Sequence, residues 1–261
     1  MTPLYCVHAS SGSAYSYLGL AKLLDADRPV YGIEAPGFDD DREPVRSLPA
    51  LSAEYAETLR EFQQDGDFLL LGWSLGGVIA FDTAQRLTAA GARVRQLILI
   101  DVSLPWVADL PSEKEIVCRF VRELLATAGA PPAALDLILA GQPGEATSEA
   151  ILLATERSGA LPTELDAALL AEHYAVYRAH VEASYGFAVT EPYHGPVTHL
   201  IASESASQYD YMRWGKVATD LFEQLVPGGH HSIWTGDSLQ RLAELVRLTL
   251  AGARLPTGME S

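Results

Sequence analysis

The stretch GWSLG, Gly72–Gly76, sets one hydroxyl, Ser74, between two glycines where an apolar run gives way to a helical pattern. Glycine at both flanks lets the backbone turn sharply and lets another strand of chain pass close by. A helix beginning at Leu75 would turn the positive end of its dipole toward the serine. This is a G-x-S-x-G pattern in a strand–turn–helix context, which reads as a nucleophile elbow for acyl transfer through a serine ester. The bland alternative is a glycine-rich turn with an idle serine.

A serine hydroxyl is a weak nucleophile at neutral pH and needs a base. Of the seven histidines, His173 and His180 lie on helical segments in the middle of the chain, and His194 and His199 flank or enter a late strand. His230 and His231 sit in VPGGHHSIW, between the last predicted strand and the last helix. In an open α/β sheet that loop emerges at the carboxyl edge of the strands, where ligands bind, and Ser74 emerges at the same edge. His8, ending a buried strand, is expected to make a structural hydrogen bond instead. The base needs an orienting carboxylate. Asp101 ends QLILID, the strand after the nucleophile helix, so it should emerge beside Ser74; the rivals are Glu204 and Asp210, after the strand PVTHLIASE. The order Ser, Asp, His is that of the α/β hydrolases. An oxyanion hole needs two backbone N–H groups. One is expected from Leu75 and the other from the loop HASSGS, at Ser10 or its neighbour Ala9.

The elements that must hold these groups are legible as alternating periods. Leu4–Ala9, Pro29–Ala35, DFLLLGW and VRQLILID read as buried strands, and AYSYLGLAKLLDA, Leu48–Gln64 and Leu75–Ala90 as helices. Continuous apolar strands alternating with helices predict a mostly parallel sheet covered on both faces, an α/β class. From residue 104 to 187 the rhythm breaks and only helices are visible. Ser112–Glu115 has the form of a capping box, and Leu170, Tyr174, Tyr177 and Val181 share one helical face, read as packing. Strand PVTHLIASE, strand LFEQLV and a helix over Ser238–Ala251 resume the pattern. The expected organisation is one α/β core, residues 1–103 and 188–261, carrying a helical lid insertion over 104–187. No internal repeat or low-complexity tract is present.

Composition bounds the function. The chain has 261 residues and a formal charge of −16, from 18 basic and 34 acidic residues. Such a surface repels a phosphate backbone and has no basic cluster with interleaved aromatics, so nucleic acid is not an expected partner. No apolar run is long enough to cross a bilayer and no signal peptide opens the chain, so the expected location is cytoplasmic, without a membrane partner. Two cysteines, Cys6 and Cys118, read as buried and reduced, and no zinc-type pair of ligands is seen.

Taken together, these motifs resemble the α/β-hydrolase thioesterases that end nonribosomal peptide and polyketide assembly lines. LYCVHASSGS matches that family's opening strand and oxyanion loop, PVYGIEAPGF its second strand and Pro-Gly turn, and LLLGWSLGGVIAFDTAQRL its nucleophile elbow. LILIDVS matches the acid strand, and YMRWGKVATDLFEQLVPGGHHSIW the closing Trp…Gly-x-His segment. The resemblance implies that His230 rather than His231 is the base. It also implies Asp101 as the acid, since Asp101 follows Ser74 by 27 residues, the chain-terminating rather than the editing arrangement. The implied substrate is an acyl or peptidyl thioester on the phosphopantetheine arm of a carrier protein, processed without metal or redox cofactor. Release would be by hydrolysis or cyclisation. The chain departs from the family at the oxyanion loop, where HASSG stands for the usual HPAGG. Carrier proteins are generally acidic, so docking on this acidic chain would need a local patch such as Arg119, Arg122, Arg213 or Lys216. An editing thioesterase, a small-molecule carboxylesterase and a hydrolase-fold binding module without catalysis are the competing readings.

Overall fold

A computed structural model describes residues 1–24, 27–105, 107–206 and 213–252. Six strands form one sheet: β1 (Leu4–Val7), β2 (Val30–Ile33), β3 (Phe68–Trp73), β4 (Val94–Ile100), β5 (Tyr193–Ala202) and β6 (Ala218–Val226). Their order is β2-β1-β3-β4-β5-β6, and all five pairings are parallel. The expected fold class is the observed one.

Side chains alternate across the central strands, and both faces are dry. Tyr5, Val7, Leu70, Leu97 and Leu99 point into one cluster with helices α2 (Leu48–Phe62) and α3 (Leu75–Ala89). Leu4, Cys6, Leu69, Leu71, Trp73, Ile98 and Ile100 point into another, with α1 (Leu18–Leu24) and α8 (Gly236–Leu250). This two-sided burial is why the strands read as unbroken apolar runs. A fully buried leucine contributes roughly 1.5–3 kcal/mol, far more than an exposed ion pair. The sheet centre is therefore the rigid frame of the site.

Local chemistry sets the helix boundaries. Ser47 caps α2 by accepting the Ala50 N–H, and Pro49 occupies the first turn, where no donor is needed. The segment read as a first helix begins as a single 3-10 turn, Tyr15–Tyr17, before α1; its last two residues, Asp25 and Ala26, lie outside the described residues. Between β4 and β5 lie α4 (Glu113–Thr127), α5 (Ala134–Ala140), α6 (Ser148–Arg157) and α7 (Ala167–Tyr185). The expected capping box opens α4: Ser112 accepts the Glu115 N–H and Glu115 accepts the Ser112 N–H. These four helices share a third apolar cluster. Tyr174 and Tyr177 are buried in it, their hydroxyls donating to Glu113 and Glu123 at 2.7 Å each. Cys6 is buried as expected, whereas Cys118 is only half-buried on the flank of α4. No described helix is long and apolar enough to cross a membrane.

Strand order places the site. The crossover after β1 runs one way along the sheet and the crossover after β2 runs the other. The gap between the carboxyl ends of β1 and β3 is therefore the topological switch point, where open α/β sheets bind ligands. Val7 pairs with Gly72 and Trp73 with Ile100, so the chains leaving β1, β3 and β4 emerge side by side.

Candidate active site

Ser74 occupies the sharp turn between β3 and α3 at φ 54°, ψ −131°. It and Asp101, at φ 47°, are the only described non-glycine residues with positive φ, a conformation that surrounding structure must enforce. Here it does. The Ser74 N–H donates to Ile100 O at 3.2 Å, and Ser74 O accepts from Gly77 N–H at 3.0 Å. A Cβ on Gly72 would fall 2.2 Å from Gly76 O, and one on Gly76 would fall 2.3 Å from His8 O. Only glycine allows the turn to close on itself and lie against the end of β1. The elbow read from GWSLG is present, with the first turn of α3 directly after the serine.

Asp101 leaves β4 one register step from Ser74 and is held from every side. Its own N–H donates to Leu200 O at 2.8 Å. The next residue, Val102, donates its N–H to His199 Nε2 at 3.3 Å and accepts from Trp214 Nε1 at 2.7 Å. Asp101 Oδ1 accepts the Ala202 N–H at 2.9 Å; Oδ2 accepts the Ser205 hydroxyl at 2.9 Å and His230 Nδ1 at 2.6 Å. Burial alone would raise this carboxyl, but the hydrogen bond and charge of His230, with the Ala202 and Ser205 donors, hold it below the usual carboxylate range. An ionised Asp101 accepts at Oδ2, so His230 carries a proton on Nδ1, the arrangement in which the neutral ring presents a lone pair at Nε2.

The structure brings His230, not His231, to Asp101. Trp73 packs on both rings, 4.9 Å from His230 and 5.6 Å from His231 between centroids. Burial first, then the neighbouring His230, lowers His231 to about 4, so it is neutral at pH 7. Of the rival acids, Glu204 lies against Gly229 and makes no contact with His230 Nδ1, and Asp210 lies outside the described residues. Ser74, Leu75, Ser10, Asp101 and His230 all line one cavity of about 440 Å³, shared with Leu104, Ser184 and Tyr185. Within it no hydrogen bond joins the Ser74 hydroxyl to His230. The Ser10 N–H has no protein acceptor among the described residues. The first N–H groups of α3 have no intrahelical partner. The described residues contain no cluster of potential metal ligands.

A second cavity, of about 820 Å³, is lined by Trp73 and His231, which do not line the first. Its wall is largely apolar and comes from the 9–18 segment, β2, α4 and the turn before α7, with Tyr17, Leu18, Phe120, Leu124 and Leu161 among its lining. Tyr174 and Tyr177 do not line it.

Three supporting residues escaped sequence reading. Tyr17 donates to Val7 O at 2.6 Å and accepts the Trp73 N–H at 3.0 Å, tying the end of β1 to the start of the elbow. Ser205 and His199 brace Asp101 from β5 and the loop after it. Only Ser205, in the turn after β5, stands where a strand end could have suggested it; Tyr17 lies in a 3-10 turn and His199 within β5.

Comparison with known proteins bears on this geometry. A model of the thioesterase domain family matches residues 2–247. Among curated relatives, the thioesterase pytI of Aspergillus terreus is 39% identical over 119 residues, which are 41% of this chain and 38% of that protein. A dimodular nonribosomal peptide synthase of Bacillus subtilis (strain 168) is 34% identical over 137 residues, 51% of this chain and 6% of the synthase. The chain thus spans only a small part of the synthetases that it matches. Among solved structures, a four-domain nonribosomal peptide synthetase superposes with a TM-score of 0.82 at 22% identity, over 95% of this chain and 19% of that one. The NocB thioesterase domain from the nocardicin cluster superposes at 0.68, also 22% identical, over 96% and 94% of the two chains. At these identities the superpositions speak for the fold.

Proposed function

The chain belongs to the thioesterase domain family, and on that premise we propose that it releases an acyl or peptidyl chain from the phosphopantetheine thioester of a carrier protein by way of an ester on Ser74. The observation that carries this reading is the 2.6 Å contact of His230 Nδ1 with Asp101 on the cavity that also holds Ser74. His230 Nε2 takes the Ser74 proton as Oγ adds to the thioester carbonyl. The oxyanion is stabilised by the Leu75 and Ser10 N–H groups and the positive end of α3. Collapse breaks the C–S bond, and His230 returns the proton to the departing thiolate. Water, or a nucleophile within the chain itself, then repeats the sequence on the ester. Each step is carried by the protein's own residues, with no metal or redox cofactor.

The helices between residues 104 and 187 act as a lid over the site, and the 820 Å³ cavity beneath α4 suits a largely apolar chain. Arg122 and Lys216 are exposed, and they are the cations proposed to meet an acidic carrier. Arg119 is less suited, since it donates to the Tyr185 hydroxyl at 2.8 Å. The intervals and the GWSLG elbow favour chain termination over editing.

The test compares wild type with Ser74→Ala on a carrier-bound acyl thioester and on the free oxoester of the same acid, together with a fluorophosphonate label. Labelling and thioester turnover in wild type, both lost in Ser74→Ala, are expected. An unlabelled wild type would leave a binding module, and preference for the oxoester an esterase.

A further inference from the structure

Two histidines that the acyl-transfer steps do not use, His8 and His180, are fully buried and stacked, with centroids 4.9 Å apart and planes at 16°. His8 follows β1 directly, while His180 comes from α7. Their Nδ1 atoms contact consecutive carbonyls of one loop: His8 Nδ1 lies 2.7 Å from Ala9 O, and His180 Nδ1 lies 2.9 Å from Ser10 O. A carbonyl oxygen only accepts, so both rings carry a proton on Nδ1. His8 Nε2 then accepts the Tyr55 hydroxyl at 2.7 Å, and His180 Nε2 is a buried lone pair with no partner among the described residues. Both rings are neutral. Burial, with His180 adjacent, takes His8 to about 3, and burial takes His180 to about 4.

The geometry has a consequence for the loop. A trans peptide is planar, so the N–H of each residue points opposite to the preceding carbonyl. With the Ala9 and Ser10 carbonyls drawn to the two rings, the N–H groups of Ser10 and Ser11 turn away from them. Neither N–H has a protein acceptor among the described residues. Ser10 lines the cavity of Ser74 and Leu75, whereas Ser11 lines the larger one. A native protein rarely leaves a buried ring nitrogen bare; here the other nitrogen supplies the reason, because a donor is needed at Ser10 O.

We infer that His180 is a positioning residue. Its ring stacks on His8, which holds the Ala9–Ser10 peptide, and its Nδ1–H holds the next peptide at Ser10 O, so that together they keep the Ser10 N–H turned toward the oxyanion of the Ser74 adduct. This inference rests on the acyl-transfer reading above. It also makes the oxyanion hole depend on α7, so that the hole is complete only while the helical insertion sits on the loop.

The test uses the full chain with His180→Leu, which removes the donor, and His180→Asn, whose side-chain N–H can reach the place of Nδ1. Should His180→Leu not fold, His180→Phe, which keeps a ring to stack on His8 but no donor, replaces it. On an acyl N-acetylcysteamine thioester, kcat of the donor-less variant is expected to fall about 10²-fold, the scale of losing one oxyanion contact. KM should stay within about threefold, and His180→Asn should recover most of the rate. A trifluoromethyl ketone of the same acyl chain, which forms a tetrahedral anion on the serine, should weaken in step with kcat/KM. Unchanged kcat in the donor-less variant, or His180→Asn as slow as it, overturns the inference and leaves the thioesterase reading intact. A wild type that neither turns over nor labels overturns both.

Discussion

The carboxyl ends of β4 and β1 each deliver one part of the site, and they are held by opposite means. Asp101 is fixed by its strand neighbours: the Leu200 carbonyl, the Ala202 N–H, Ser205, and His199 and Trp214 acting on Val102. Apart from the Trp214 indole, these come from β5 and the loop that follows it. The loop after β1 has no such frame. Its carbonyls are held by two stacked imidazoles, one from 170 residues further along the chain, and by Gly12 donating to Ala9 O at 3.0 Å. A carboxylate built on a sheet can be read from strand register; the orientation of a loop peptide depends on whichever helix is laid over it.

The largest way to break the β4 side is Asp101→Asn. An amide in place of the carboxylate can donate to Nδ1 and favours the tautomer with its proton on Nε2, which cannot accept from Ser74. On the precedent of such triads the loss in kcat is about 10⁴-fold, with the circular dichroism spectrum unchanged. Near-normal turnover there, with Glu204→Gln or Asp210→Asn inactive instead, would move the acid to the next strand's loop.

The two ends should also fail at different pH. His8 and His180 are held neutral in the fold, at about 3 and about 4, while an unfolded histidine titrates near ~6.5. Between roughly pH 6.5 and 4 the unfolded chain therefore binds more protons, and stability falls as pH falls, by up to ~1.4 kcal/mol per pH unit for each ring. Asp101 has a depressed folded value, so its contribution persists through that window and is lost only as pH drops below the ordinary carboxylate range. Urea unfolding from pH 7 to 4 measures the slope. Replacing His180 by Asn should reduce it by about one proton, whereas an unchanged slope would mean that this ring is not neutral in the fold.

This contrast explains what was legible in the sequence. GWSLG between a strand and a helix announced the elbow because turn, glycines and helix start are local. Asp101 was legible because consecutive parallel strands end at one rim. The doubled histidine was not decided by composition or position; His230 was favoured by resemblance, and the structure sets His230 against Asp101 at 2.6 Å. The second oxyanion donor stayed open between Ala9 and Ser10, since the loop's carbonyls are held by His8 and by His180 stacked on it, and sequence reading could place His180 only on a helix. Ser205 was hidden because a serine next to Glu204 in a loop after a strand carries no signal of its own, and the acidic neighbour drew the attention.

Tyr17 links the two regions and tests whether they form one body. Its hydroxyl joins Val7 O at the end of β1 to the Trp73 N–H at the elbow. Tyr17→Phe leaves a buried backbone donor and acceptor unpaired with little change of shape, which should cost about 1–3 kcal/mol. It should also lower kcat more than it raises KM, because it loosens the oxyanion loop against the serine. A drop in melting temperature with kcat intact would show that the two strand ends hold their geometry independently.

The smallest expected effect separates the adjacent histidines. His231 packs edge-on against Trp73 and against His230, with interplanar angles of 82° and 86°. Its imidazole is neutral at pH 7 and makes no hydrogen bond to Asp101, so its contribution is that of an aromatic contact, about 0.5–1.5 kcal/mol. His230 keeps its own 2.6 Å bond to the carboxylate without it. His231→Ala should therefore leave kcat within about tenfold of wild type, while enlarging the wall that the larger cavity shares with Trp73. Any change should appear in the preferred length of acyl chain. Complete loss in His231→Ala with His230→Ala active would reverse the roles of the two rings.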